Sequence, residues 1–226
     1  MLEILNLFNA DNLARLGEGL ATTLSLALIS IMLSLIGGVA LGVLMTFGGR
    51  VARLICRVYL EAVRIVPLLV WLFIVYFGFA SILDLHIEAF SAGVVVFVLW
   101  GVAEMMDLTR GALSSISQHQ RQSATALGLK RLQTTLYVLF PQAFLALLPS
   151  SVNLFTRMIK TTALISLIGS IDLLKVGQQI IEVNLINMPH ASFFVYGLIF
   201  ILYFMLCYPL SHLSQYLEKK YQHNRG

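Results

Sequence analysis

Six ionisable side chains and two hydroxyls stand where a chain this apolar has little ordinary use for them: Glu61 and Arg64, Glu104 and Asp107, Arg157 and Lys160, Thr161 and Thr162. A charge at membrane depth is expensive unless it is paired, hydrated or functional. Glu61 and Arg64 lie three residues apart, as do Glu104 and Asp107, so each pair shares one helical face. The first pair can neutralise itself. The second can bind a cation or satisfy two cationic partners. Two readings follow: an ion-pair network among these six groups, with Asp107 to Arg64 as one pair, or a water-filled path in which Glu104 meets a cationic substrate. In Lys160-Thr161-Thr162, either threonine can cap a short helix. A helix N-terminus at membrane depth can hold an anionic group such as a substrate carboxylate. A plain cap beside an interfacial lysine is the alternative.

No catalytic constellation accompanies these groups. The chain has no GxxxxGK[ST] phosphate loop, no HExxH and no GxSxG. Its histidines, His86, His119, His190, His212 and His223, fall at predicted loops or span ends. Cys56 and Cys207 lack metal-ligand spacing. The expectation is a protein that is not an enzyme in its own right, with no catalytic residue, no metal site and no cofactor bound by this chain.

What must position the charges is a membrane fold. Of 226 residues, 58% are hydrophobic and 12% charged, and the mean hydropathy is +0.86. Soluble domains carry about 25% charged residues. The chain is therefore read as an all-α integral membrane protein forming one domain, residues 1–226, with room for about five or six spans of roughly 20 residues. The net charge of +4 fits basic loops at the cytoplasmic face better than nucleic-acid binding. Met1-Leu2-Glu3-Ile4 lacks the basic segment of a signal peptide, so the start is expected to be retained.

Apolar runs place five spans: about 22–46, from near Tyr59 past Pro67 to about Ala80, about Ser91 to Leu108, about Thr134 to Phe155, and about 192–213. The stretch 161–176 carries Asp172 and Lys175 and reads as a re-entrant or broken segment rather than a sixth span. Arg50, Arg53 and Arg57 follow the first span. Arg110, Arg121, Lys130 and Arg131 follow the third, and Lys219, Lys220 and Arg225 follow the fifth. The opposite side has Asp11 and Glu18 with Arg15, then Asp84, His86 and Glu88. This asymmetry predicts an outer N-terminus and a cytoplasmic C-terminus. In the first span Ser34, Gly38 and Gly42 recur every four residues, a close-packing face.

Residues 117–133 form a polar, amphipathic insert on the predicted cytoplasmic side. They read as a short helix, a turn at Gly128 and a second helix at the membrane surface. Ala124, Ala126, Leu127 and Leu129 supply an apolar face for a partner groove.

At this insert the chain resembles the permeases of ABC transporters. That family's motif runs Glu-Ala-Ala, three residues, Gly, then a hydrophobic pair and Pro thirteen residues past the Gly. Here Gln122-Ser123-Ala124, Gly128 and Leu139-Phe140-Pro141 hold those positions, with Gln122 replacing the acid. Thr22-Thr23-Leu24-Ser25-Leu26, Glu61-Ala62-Val63-Arg64 through Pro67, Asp107-Leu108-Thr109-Arg110-Gly111 and Lys160-Thr161-Thr162-Ala163-Leu164 resemble the polar amino-acid group, the histidine/glutamine/arginine-type permeases. Ile65 stands where that group has a small residue, Asp107 replaces a glutamate, and Glu104 replaces an aromatic. The likeness covers most of residues 20–215.

The resemblance implies a type I ABC importer permease: about five transmembrane helices plus a cytoplasmic coupling helix–turn–helix, in a bacterial inner membrane. Its implied partners are two P-loop ATPase subunits that hold ATP and Mg, a second identical or different permease, and an extracytoplasmic solute-binding protein delivering an amino acid. It implies coupling through Gln122, Ser123, Ala124, Ala126, Leu127, Gly128, Leu129 and Pro141. Glu104 tilts the expected substrate toward basic amino acids such as histidine, arginine or lysine, with glutamine, glutamate and cystine open. A stand-alone carrier or channel using Glu104 and Asp107 as a proton or cation relay is the competing class. It has few spans and no internal repeat to support it.

Overall fold

A backbone inside a bilayer must satisfy its hydrogen bonds within each segment, and helix is the form this chain takes. The computed structural model describes residues 7–83, 86–186 and 188–223. Met1, Leu2, Glu3 and Ile4, with Asp84 and Arg225, lie outside the described residues, as do the side chains of Arg131 and His223.

Helix α1 spans Ala10–Phe47 and α2 spans Arg50–Ile65. A bent run follows: α3 Leu68–Phe73, a π-helical turn Ile74–Gly78, and α4 Phe79–Leu83. Then come α5 Ala89–Ser114 and α6 Gln118–Ala126. A short α7 at Arg131–Gln133 runs through a π-helical stretch Thr134–Leu139 into α8 Phe140–Thr161. A 3-10 helix Thr162–Ile168, α9 Leu173–Asn184 and α10 Ala191–His223 complete the chain.

Among the described residues, four helical stretches are long and apolar enough to cross a membrane: Ala10–Phe47, Ala89–Ser114, Thr134–Ile168 and Ala191–Tyr221. There are five if α2 and the run after it count as one broken span. Four of the five expected spans are therefore long helices. The first is longer than its apolar run. At 38 residues it reaches about 57 Å at the usual rise, well beyond a hydrocarbon core of about 30 Å.

The expected second span, Tyr59 to Ala80, is not one straight helix. The chain bends by 98° after Ile65, with Val66 extended at φ −82 and ψ 126. Pro67 is the cause, since its ring disfavours helical geometry at the residue before it. The stretch 161–176 is likewise broken. Gly169 adopts φ +88, its N–H and that of Ser170 close back on Ser166 and Ile165, and Asp172 starts a new helix by accepting from the Lys175 N–H at 2.9 Å.

By internal packing the chain divides into two compact units. The first comprises Met1–Ser30, Leu68–Phe97 and Arg157–Pro209; the second comprises Ile31–Pro67, Val98–Thr156 and Leu210–Gly226.

In the first unit, Leu16 of α1, Leu173, Val176 and Ile180 of α9, and Ala191, Val195 and Ile199 of α10 share one core. Gly19 makes this packing possible: a Cβ there would lie 3.0 Å from the carbonyl of Asp172. Thr23 Oγ1, four residues on, accepts from the Leu173 N–H at 3.2 Å.

In the second unit the small-residue face of α1 packs on α5. A Cβ on Gly38 would overlap the Met105 side chain, and one on Gly42 would come within 2.5 Å of Thr109 Cβ. Beside it, Cys56, Leu60 and Val63 of α2 bury against Met45, Ala103 and Met106. Tyr59 Oη ties α2 to the Leu99 carbonyl of α5 at 2.5 Å.

Candidate functional site

The second unit holds two of the constellations predicted from sequence. The first is the charge network. Glu104 and Asp107 sit three apart on α5, on the face that meets the last turn of α2, where Arg64 lies. Arg64 Nε donates to Glu104 Oε1 at 2.9 Å and its Nη2 reaches Asp107 Oδ2 at 2.8 Å. Asp107 also accepts from Arg110 through Oδ1 at 2.6 Å. The two carboxylate side chains are only 12% and 20% exposed, so two guanidiniums answer two half-desolvated acids. The planar, multi-donor geometry of arginine suits such double duty better than a lysine would.

The predicted Asp107–Arg64 pair is present. The predicted Glu61–Arg64 pair is not. Glu61 instead bonds Arg57, one turn back, at 3.1 Å on an exposed face. Arg64 is drawn from it because two less hydrated acids on α5 are within reach and offer the stronger interaction. Arg110 also enters the network, and its i, i+3 spacing from Asp107 is the signal for it in the sequence.

Arg157 and Lys160 lie in the last turns of α8, with exposed side chains in the first unit. Thr161 and Thr162 follow them and do not cap a helix. Their hydroxyls donate back to the carbonyls of Arg157 at 2.8 Å and Ile159 at 2.7 Å. Thr161 keeps helical dihedrals, φ −75 and ψ −18, so the 3-10 helix continues α8 without a free N-terminus. The capped N-terminus in this region belongs to α9, at Asp172. An anion site at a Thr161–Thr162 helix start therefore has no structural basis.

The second constellation is the insert. Helix α6 ends in a Schellman closure: the Leu129 N–H bonds the Ala124 carbonyl at 3.1 Å and the Gly128 N–H bonds that of Thr125 at 2.9 Å. This closure requires a left-handed residue, and Gly128 supplies φ +81. Lys130 N–H then donates to Gln133 Oε1 at 2.9 Å, starting α7.

The expected second surface helix is the beginning of α8's own run rather than a separate element. Pro141 explains the π-helical register before it. Proline has no N–H to offer the Tyr137 carbonyl, and the preceding residue, Phe140, bonds five back to Thr135 instead of four.

The insert's apolar residues divide between two sides. Ala124 is buried at 4% exposure, Leu129 is half-buried, and Ala126, Gln122 and Ser123 are exposed. Leu127 is 82% exposed at the tip, beside Gly128. Two bonds fix α6 in place. Arg121 Nη2 donates to the Leu113 carbonyl at 3.0 Å, and Gln142 Nε2 donates to Gln120 Oε1 at 2.5 Å. Gln120, Arg121 and Gln142 were not among the predicted coupling residues. A polar Gln142 directly after Pro141, in an otherwise apolar run, was the trace they left in the sequence. Two side-chain bonds tie α6 to α5 and α8, its Ala124 is buried, and its tip is hydrophobic.

Among the described residues no three His, Cys, Asp or Glu side chains gather in a way that could hold a metal ion.

Comparison with known proteins places this geometry. Residues 38–223 match the family described as binding-protein-dependent transport system inner membrane component. The chain is 31% identical over 204 residues to the glutamine transport system permease protein GlnP of Escherichia coli, covering 90% of this chain and 91% of that one. It is 27% identical over 210 residues to the probable glutamine ABC transporter permease protein GlnM of Bacillus subtilis, covering 93% and 94%. Among solved structures it superposes with TM-score 0.83 and 27% identity on a chain of an amino acid ABC transporter crystallised with histidines, covering 92% of this chain and 94% of that one. A chain of the inward-facing MetNI methionine ABC transporter shares the fold at TM-score 0.73 and 18% identity, covering 93% and 99%.

Proposed function

The chain belongs to the family of binding-protein-dependent transport inner membrane components, the permeases of ABC importers, and we propose that it forms the path for a polar amino acid, driven through its insert by separate ATPase subunits. The insert carries this reading. A helix held to α5 by Arg121 and to α8 by Gln142, and ended by a left-handed glycine, presents Leu127 to a partner. Motion imposed on that tip passes to two helices of the bilayer.

The partners that follow are a pair of P-loop ATPase subunits holding ATP and Mg, a second permease, and an extracytoplasmic solute-binding protein. The excess of Lys and Arg around the insert and at the end of α10 supports a cytoplasmic insert and C-terminus with the N-terminus outside.

For the substrate, Glu104 argues for a basic amino acid only in the reading where its charge meets the substrate. Its bond to Arg64 spends that charge, and relatives named for glutamine stand beside this chain. A polar amino acid with a neutral side chain, glutamine foremost, fits a path whose acids are already answered by arginines. The same pairing weighs against a carrier that uses Glu104 and Asp107 as an ion relay. Reconstituting the assembled transporter in nanodiscs and measuring ATP hydrolysis with each amino acid and its binding protein tests this. Stimulation by glutamine and not by arginine supports the assignment; stimulation by arginine alone, abolished in Glu104→Gln, restores the basic substrate.

A further inference from the structure

Helix α2 has three faces, and the core takes one. Cys56, Leu60 and Val63 face the core. Val51, Leu54, Ile55, Val58 and Ile65 form an exposed apolar face, each at least 60% exposed. Between these two, at about 100° per residue, runs a basic face of Arg50, Arg53, Arg57 and Arg64, interrupted only by Glu61.

That basic face opens onto a groove of about 560 Å³ walled by α5, where Arg110 and Ser114 stand opposite Arg53 and Arg57. Four arginines line it against two carboxylates, Glu61 and Asp107. Asp107 is already shared between Arg64 and Arg110, and Glu61 holds Arg57 only by an exposed i, i+4 pair, which is weak. Arg53 has no ion-pair partner among the described residues.

We propose that this groove between α2 and α5 binds the phosphate of an anionic phospholipid, with Arg53 and Arg57 as its principal contacts. A phosphate is the anion whose geometry and charge two adjacent guanidiniums answer. The exposed apolar face alongside selects a lipid over a soluble phosphate: basic and apolar faces side by side are the pattern of a helix lying in the membrane interface. Basic pockets at the cytoplasmic ends of membrane helices attract acidic headgroups. A second copy presenting this same basic face would set arginines against arginines and does not complement it. The inference rests on the membrane reading of the chain and not on its substrate.

Native mass spectrometry of the full chain, with whatever subunits copurify, tests it by titration with phosphatidylglycerol and with phosphatidylcholine. Phosphatidylglycerol should bind preferentially, and R53Q/R57Q should weaken it about tenfold. R53K/R57K, which keeps the charge but not the bidentate fork, should restore only part of the binding. K219Q/K220Q, which removes the same charge at the end of α10, should leave it unchanged. Equal retention by R53Q/R57Q overturns the proposal, as does displacement of the lipid by inorganic phosphate at comparable concentration, which would mark a soluble-anion site. If the double variant does not fold, R53Q and R57Q singly give the same reading at smaller amplitude. None of these measurements needs ATP or an amino acid, so failure here is separable from failure of the importer assignment.

Discussion

Arg64 and Glu104 are forty residues apart in sequence and 2.9 Å apart in space. That bond, with the second one to Asp107, turns the most conspicuous acids of the chain into a clamp between α2 and α5. Deleting the arginine removes both ties from α2 to the acids of α5 and leaves Asp107 to Arg110, whereas an amide at Glu104 can still accept from Arg64. R64Q should therefore cost about 2 kcal/mol of stability in detergent, and E104Q about half as much. Thermal unfolding of the two single variants and the double variant checks this. The cycle should return a coupling of about 1 kcal/mol; strict additivity would show that the pair does not clamp the helices.

At Gly128 the constraint is the backbone. A Cβ there would meet nothing within 4 Å, yet φ is +81. Crowding and torsion are thereby separable. G128N, which tolerates the left-handed region, should keep near-normal coupling. G128V, penalised by about 1–2 kcal/mol, should uncouple ATP hydrolysis from transport in proteoliposomes. Equal behaviour of the two variants would mean that the turn is not the sensitive element.

The α1–α5 contact depends on the absence of side chains. A Cβ at Gly42 would come within 2.7 Å of the Met106 carbonyl as well as against Thr109, and backbone cannot yield as a flexible side chain can. G42L should lower the unfolding temperature by the equivalent of about 3 kcal/mol or prevent assembly, while G111L, where the surroundings are open, should be tolerated. Size-exclusion profiles and thermal melts in detergent report both.

Asp172 holds the start of α9 through the Lys175 N–H. D172A should cost about 1 kcal/mol for the lost cap, and D172N should retain most of it because asparagine caps as well. A thermal melt of both variants decides. If D172A is as stable as D172N, capping is not what the carboxylate contributes.

Much of this is legible in the sequence. Apolar length alone located α1, α5, α8 and α10. The four-residue spacing of Ser34, Gly38 and Gly42 marked the close-packing face, and the insert's glycine marked its turn. What sequence could not supply was competition between partners. Glu61 and Arg64 are correctly spaced to pair, but burial of Glu104 and Asp107 on another helix decided where Arg64 went. Thr161 and Thr162 look like caps only if a helix starts there, and helical dihedrals at Thr161 carried α8 straight through. Pro67 was visible, but a hydropathy run passes over a proline that the backbone does not. The anchoring roles of Gln120, Arg121 and Gln142 exist only once α6 lies against α5 and α8.

The central claim is that this chain is moved by a separate ATPase through α6. Coexpression with the neighbouring ATPase subunit, affinity capture of this chain in detergent and quantification of what it retains test it most directly. The account predicts a stable complex that dissociates when Leu127 is changed to aspartate at the exposed tip, with the permease itself still folded. A complex unaffected by L127D, or a chain that runs alone and moves solute in liposomes without ATP, would contradict it.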